Sequence, residues 1–198
     1  MTAESRSDLI VLASGSPRRR ELLELLGVRF TIEPAPGEEA PQPGEAPDAY
    51  AVRAARAKAE LVARVHSRAP VLGADTVVEI DGSVLGKPRS SGEARAMLQL
   101  LSGRTHAVHT AVALHFDDRC TSLLDTAKVR FLRLTSKLIQ WYVATGEPMD
   151  KAGAYAVQGA GGLLVEAVDG SPHTVIGLPV HRLPELFAGC GLRFWDYL

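Results

Sequence analysis

The sequence predicts a mixed α/β fold, and three observations carry the prediction. Short apolar, β-branched runs ("DLIVLA" at 8–13, "VRFTIEP" at 28–34, "PVLGADTVVEI" at 70–80) alternate with segments whose apolar residues recur at helical spacing. Two more apolar runs, "HAVHTAVALHF" and "SLLDTAKVRFLRL", meet at an Asp-Asp-Arg turn and read as a β-hairpin. A sheet that combines interleaved helices with a hairpin is mixed rather than purely parallel. The 198 residues suit a single domain, expected over 8–198 after a polar, disordered tail at 1–7.

Each element follows from local chemistry. The first strand runs into "SGSP", where Ser16 suits an N-cap and Pro17 the first helical turn. The helix carries Leu22, Leu23, Leu25 and Leu26 and stops near Gly27. After the second strand, "APGEEAPQPGEAP" (35–47) is a long Pro/Gly/Glu loop, a length that usually serves function or mobility. The Ala-rich segment 48–66 predicts a helix capped by Asp48, with a stripe through Val52, Ala55, Ala59, Val62 and Val65. Further helices are expected at 91–103, capped by Ser91, and at 135–145, capped by Thr135 or Ser136. "GLLVEAV" (162–168) reads as a strand. "LPVHRLPELFAGCG" reads as a last helix with a proline near its middle.

Composition excludes several classes. The chain is 46% hydrophobic and 23% charged with a net charge of −1, so no global field steers it to nucleic acid or to an acidic membrane. Any anion site must be local. Cys120 and Cys190 follow no metal or redox spacing. The first 16 residues fit neither a signal peptide nor a membrane span, which predicts a cytoplasmic protein with reduced thiols.

Several residues carry chemistry. Positive charge at a helix N-terminus opposes the macrodipole, yet "SGSPRRR" places three arginines there. A strand–turn–helix mouth aims backbone N–H groups at one spot, and Ser14, Ser16, Arg18 and Arg19 would add donors matched to phosphate. The plain alternative is a solvated basic turn. Asp75 near the end of an apolar strand needs partners, and three roles are open to it: metal ligand, general base or structural ion pair. "DGSVLGKP" fails the P-loop pattern, because Pro88 replaces Ser/Thr and three residues separate Gly82 from Gly86. Lys87 is nonetheless held between Gly86 and Pro88. Lys58 on the Ala-rich helix is weak evidence by itself. His106 and His109, three apart on a strand, face opposite sides and make no two-histidine metal site. Glu38 and Glu39 either complete a hard-cation site or belong to a solvated loop. The glycine-rich 146–164 segment reads by itself as a flexible surface loop, although Gln158 offers both a donor and an acceptor to a base edge.

Together, "LASGSPRRRELL", "ARAKAE", "GADTVV", "LGKP", "LSGRTHAVHTAVAL", "TGEPMDKAGAYAVQGAGG" and "VIGLPV" resemble the Maf family of nucleoside triphosphate pyrophosphatases, in the family's order from about residue 10 to 180. The resemblance implies an elongated mixed α/β domain with a central cleft, similar to inosine triphosphate pyrophosphatases. It implies a housecleaning hydrolase that splits a nucleoside triphosphate into monophosphate and pyrophosphate with a divalent cation, Mg²⁺ or Mn²⁺, and a homodimer. Trp141 and Trp195, which lack an obvious core role, add a weak hint of that dimer. By the same resemblance Asp75 is the catalytic base, and Ser14, Ser16, Arg18, Arg19, Lys58 and Lys87 handle phosphates. Glu38, Glu39 and Asp75 hold the metal, with Glu38 standing where the family often has Asp. Arg18, Thr76 and Gln158 match the branch that hydrolyses dTTP and UTP rather than 7-methyl-GTP or another modified purine triphosphate. "GSPHTVIGLP" departs from the family pattern at His173 and Thr174. A non-catalytic regulator of septum formation is the competing class, and completeness of the phosphate-facing set argues against it.

Overall fold

The computed structural model describes residues 7–37, 40–66 and 68–198. The expected tail lies outside the described residues except for Ser7, whose N–H donates to the Arg68 carbonyl at 2.9 Å. The chain forms two compact units. The first holds the residues up to Asp75 with 110–125 and 177–198; the second holds 76–109 and 126–176.

The first unit is built on β1 (Ile10–Leu12), α1 (Pro17–Leu25), β2 (Phe30–Ile32) and α2 (Pro47–Ala63). The N-terminal half of β3 (Val71–Ile80) and the neighbouring ends of β5 (Thr105–Phe116) and β6 (Arg119–Phe131) complete its sheet, in the order β2-β1-β3-β5-β6. β1 lies parallel to both neighbours, with Ile10 opposite Phe30 and Val11 opposite Val71. α6 (Leu183–Gly189) and the C-terminal turn pack Phe187 edge-on against Phe194 and Tyr197.

The second unit contains the remaining halves of β3, β5 and β6, with β7 (Val165–Asp169) antiparallel to β6 and β4 (Ser83–Leu85) antiparallel to β3. α3 (Ser91–Leu101), α4 (Ser136–Ala144) and α5 (Pro172–Ile176) belong to it. Its core gathers Val78, Leu98, Val108, Phe131, Ile139, Tyr142 and Tyr155. The sheet is therefore mixed, as predicted.

Differences from the sequence reading have local causes. Asp75 is the fifth of ten residues in β3, not near its end. Asp81 and Gly82 both take positive φ and turn the chain into β4, a strand too short to show a period. Pro47 opens α2, so Ala46 stands at the N-cap and Asp48 in the first turn. The buried stripe of α2 is Ala51, Ala54, Ala55, Ala59 and Val62, whereas Val65 lies beyond the helix and is exposed. Leu25 is 83% exposed. Ser90, not Ser91, caps α3 by accepting from Glu93 N–H at 3.2 Å. Pro184 stands in the first turn of α6 rather than mid-helix. The glycine-rich segment is not an open loop but three short 3-10 turns, Glu147–Asp150, Ala152–Ala154 and Gly159–Leu164.

One contact decides the packing of the first unit. A Cβ on Gly73 would lie 2.4 Å from the Ala55 carbonyl oxygen and 2.8 Å from Ala59 N. Helix α2 thus rests directly on β3 at a glycine, with small alanines beneath it. Gly73→Ala is expected to force the helix outwards and lower stability by about 1–3 kcal/mol or more, as overpacking does. Urea unfolding checks this, and an unchanged midpoint would contradict it.

His106 gives the second unit a pH dependence. The side chain is buried, hydrogen-bonded to Tyr155 Oη at 2.8 Å and edge-on to Phe131 and Tyr155. Burial holds its pKa down at about 4. The unfolded chain protonates this histidine near 6.5, so the neutral imidazole contributes full stability above that pH and loses it as pH falls towards 4. The loss is about 3 kcal/mol across this window, at ~1.4 kcal/mol per unit. His106→Gln is expected to flatten this part of the stability–pH curve, as measured by denaturant titrations at pH 7, 5.5 and 4.

Candidate active site

The first cluster begins where β1 ends. Ser14 is buried, and its Oγ accepts from Ser16 N–H at 3.3 Å and from Arg19 Nη1 at 2.8 Å. Arg19 also donates from Nε to the Gly177 carbonyl at 2.8 Å. The guanidinium is therefore folded beneath the turn. Burial lowers its pKa and the nearby Asp75 charge raises it again; an arginine stays protonated throughout. Ser16 occupies the N-cap position of α1, yet its side chain makes no capping bond and no acidic residue stands in the first turn. The first N–H groups of this helix lack a capping side chain, which suits an anion. Arg18 is half-buried beside them.

The second cluster is the packed face of α2 against β3. Lys58 Nζ lies 2.5 Å from Asp75 Oδ1, with 20% and 14% of the two side chains exposed. Gly73 makes this contact possible, since it lets α2 sit close enough for a lysine one turn away to reach the strand. Asp75 is thus a paired carboxylate, its oxygen Oδ1 taken by an ammonium and its charge felt by Arg19.

Ser14, Ser16, Arg18, Arg19, Lys58 and Asp75 all lie in the first unit. Thr76, Lys87 and Gln158 lie in the second. Lys87 is exposed just after Gly86, whose carbonyl accepts from Gly153 N–H at 3.1 Å. Gln158 is exposed at the head of the Gly159–Leu164 turn. In the departing segment, Thr174 is fully buried and its N–H donates to the Ser171 carbonyl at 3.0 Å. Glu38 and Glu39 lie outside the described residues. Among the described residues no group of three His, Cys, Asp or Glu side chains is placed to hold a metal ion.

Sequence reasoning missed three supports. Gly73 is invisible because its role is the absence of a side chain. Arg53 anchors the loop before α2: its guanidinium bonds both Glu45 carboxylate oxygens at 2.7 and 2.8 Å and the Ala40 carbonyl at 2.8 Å. The Arg53 bonds to the carboxylate, joined by Gln42 N–H donating to Glu45 Oε2 at 2.9 Å, hold the Glu45 carboxyl down at about 2. Glu147 lies in the glycine-rich segment, whose composition reads as a flexible surface loop and gives no sign of the donors that converge on its carboxylate.

The arrangement defines a class: a mixed α/β protein with a cationic strand–turn–helix mouth and a lysine-paired carboxylate on the adjoining strand. The family described as Maf-like protein matches residues 9–190. The chain is 52% identical to the dTTP/UTP pyrophosphatase of Myxococcus xanthus over 184 residues, 93% of each chain. It is 47% identical to that of Methylobacillus flagellatus over 92% of this chain and 93% of the other. It is 49% identical to that of Shigella sonnei over 90% and 91%. A solved structure, the nucleoside-triphosphatase / dITP/XTP pyrophosphatase of Mycobacterium abscessus, matches at a TM-score of 0.46 and 15% identity over 92% of this chain and 96% of that one. The chain belongs to the Maf family.

Arg19 offers a direct check of the first cluster. Lysine has no fork to bond Ser14 Oγ and the Gly177 carbonyl together. Arg19→Lys is expected to lower the thermal midpoint by a few degrees, corresponding to the loss of about 1–3 kcal/mol for one unmade charged hydrogen bond. Differential scanning calorimetry reads this, and a wild-type midpoint would contradict it.

Proposed function

We propose that this chain is a nucleoside triphosphate pyrophosphatase that hydrolyses dTTP and UTP to the monophosphate and pyrophosphate. The observation that carries the reading is 45–52% identity, across most of the chain, to relatives bearing the name dTTP/UTP pyrophosphatase. The local geometry supports it through the Lys58–Asp75 pair beside a cationic helix mouth.

In this reading Asp75 is the general base. It orients a water and takes its proton as the water oxygen attacks the α-phosphorus. The bond from that phosphorus to the bridging oxygen breaks, and pyrophosphate leaves. Charge developing on the phosphoryl oxygens needs donors fixed in advance. Lys58, Arg18, the Ser14–Ser16 turn and the first N–H groups of α1 are assigned that role with Lys87, and Arg19 holds the turn in shape. A divalent cation, Mg²⁺ or Mn²⁺, would supply charge neutralisation and would favour deprotonation of the attacking water. The partly buried Asp75 carboxylate is a hard oxygen donor of the kind that Mg²⁺ takes together with substrate phosphates. Asp75, Glu38 and Glu39 would hold it. Thr76, Arg18 and Gln158 are assigned to substrate choice, with Gln158 accepting from N3–H and donating to O4 of uracil or thymine. A housecleaning role in the cytoplasm and a homodimer complete the reading. Trp141 and Trp195, 47% and 65% exposed, support the dimer. No helix among the described residues is long and apolar enough to cross a membrane.

A screen of ordinary and modified triphosphates, with products identified, tests the proposal. dTTP and UTP should lead, CTP should be poor, and pyrophosphate should appear; EDTA should abolish turnover. Asp75→Asn should reduce kcat by ~10²–10⁴-fold with KM little changed. Release of orthophosphate with a diphosphate, or 7-methyl-GTP leading the screen, would overturn the reading.

A further inference from the structure

The glycine-rich segment of the second unit is organised by one carboxylate and one phenol. Tyr142 lies on α4 and is fully buried, and Glu147 opens the 3-10 turn that follows it. Glu147 Oε1 accepts from Tyr142 Oη at 2.9 Å and from Gly161 N–H at 2.9 Å, and Oε2 accepts from Ala160 N–H at 3.1 Å. Tyr142 Oη in turn accepts from Ala156 N–H at 3.1 Å. The backbone is thus tied on both sides of Gln158, at Ala156 before it and at Ala160 and Gly161 after it.

The glycines are part of the same device. A Cβ on Gly159 would lie 2.7 Å from Glu147 Oε2, and that residue has φ +70°. A Cβ on Gly161 would lie 2.2 Å from the Ala156 carbonyl oxygen and 2.6 Å from Tyr142 Oη. Only bare backbone lets the carboxylate and phenol come this close. Burial raises the Glu147 pKa, but the Gly161 N–H, the Tyr142 hydroxyl, the Ala160 N–H and the Lys151 charge outweigh it and leave the group a carboxylate. An ionised carboxylate is acceptor-only, which suits three converging donors. None of this is needed for a surface loop. Gln158 meanwhile is exposed, so its own side chain is held only by the backbone beneath it.

We propose that Glu147 and Tyr142 are positioning residues for base selection, fixing the turn that presents Gln158. The inference rests on the reading of Gln158 as the residue that pairs with the uracil or thymine edge. Glu147→Gln places an amide N–H₂ where a backbone N–H now donates, so one bond becomes a repulsion and the turn loosens without loss of volume. Glu147 and Tyr142 are not among the residues assigned above to the phosphates and the water, so discrimination should suffer more than turnover.

The test compares kcat/KM for UTP and CTP in Gln158→Ala, Glu147→Gln, Tyr142→Phe and the double variant Glu147→Gln/Gln158→Ala. Gln158→Ala is expected to lower the UTP/CTP ratio by roughly tenfold or more, and Glu147→Gln by a comparable factor, mainly through a higher KM for UTP. The double variant should discriminate no worse than Gln158→Ala, because the turn then has nothing left to position. Tyr142→Phe removes one donor and one acceptor while keeping the ring in the core, and it carries the test if Glu147→Gln fails to fold. If Gln158→Ala lowers the ratio but neither Glu147→Gln nor Tyr142→Phe does, the positioning role is overturned and the base reading stands. A double variant about tenfold worse than Gln158→Ala also overturns it. If Gln158→Ala leaves the ratio unchanged, the base reading itself is overturned.

Discussion

The close seating of helix α2 on strand β3 at Gly73 is the constraint on which the first unit depends. Helix and strand backbones approach there within the space that one methyl group would fill. Such an approach requires small residues on both sides, and the helix supplies Ala51, Ala54, Ala55 and Ala59. The Ala-rich composition of α2 is therefore a packing requirement rather than only a helix preference. The approach also sets the chemistry, because Lys58 belongs to the same helix and Asp75 stands two residues beyond Gly73 on the same strand face. A lysine and an aspartate brought together in a partly buried place protect each other from the cost of isolation, and removal of either leaves an uncompensated charge.

Much of the fold was legible because periodicity and turn chemistry agreed. The hairpin of β5 and β6, the Pro17 start of α1 and the start of α4 at Thr135 or Ser136 follow from residues whose conformational preferences are strong. What was not legible shares a physical reason. The interior place of Asp75 in β3 is not legible, because a charge inside a strand needs a partner and the sequence does not display the lysine that compensates it 17 residues away. Pro47 displaced Asp48 from the cap because the first turn of a helix accepts proline without losing a bond.

The glycine-rich segment shows the same limit more sharply. Its composition is that of a flexible loop, and composition carries no record of Glu147. Three N–H or O–H donors converge on this carboxylate, and two come from glycine-flanked backbone that a side chain would obstruct. Glycine lowers order in an unpartnered chain and raises it where a half-buried acceptor needs close access to backbone N–H groups. Only tertiary structure tells which case applies.

The three arginines at the mouth of α1 resolve into three situations. Arg20 pairs with Glu24 one turn along the helix at 3.4 Å, both half in solvent, an arrangement worth little energetically. Arg19 turns inward and bonds Ser14 and the Gly177 carbonyl, so its charge supports the turn from below. Its unfavourable position against the helix dipole is offset by those bonds and by the nearby Asp75. Neither contact accounts for Arg18, half-buried beside N–H groups that no side chain caps. A cation and uncapped amides at one helix end repel electrostatically, and the arrangement becomes favourable when an anion joins them. A run that looks like one basic patch therefore contains one surface pair, one internal brace and one half-buried charge at a helix start that no side chain caps.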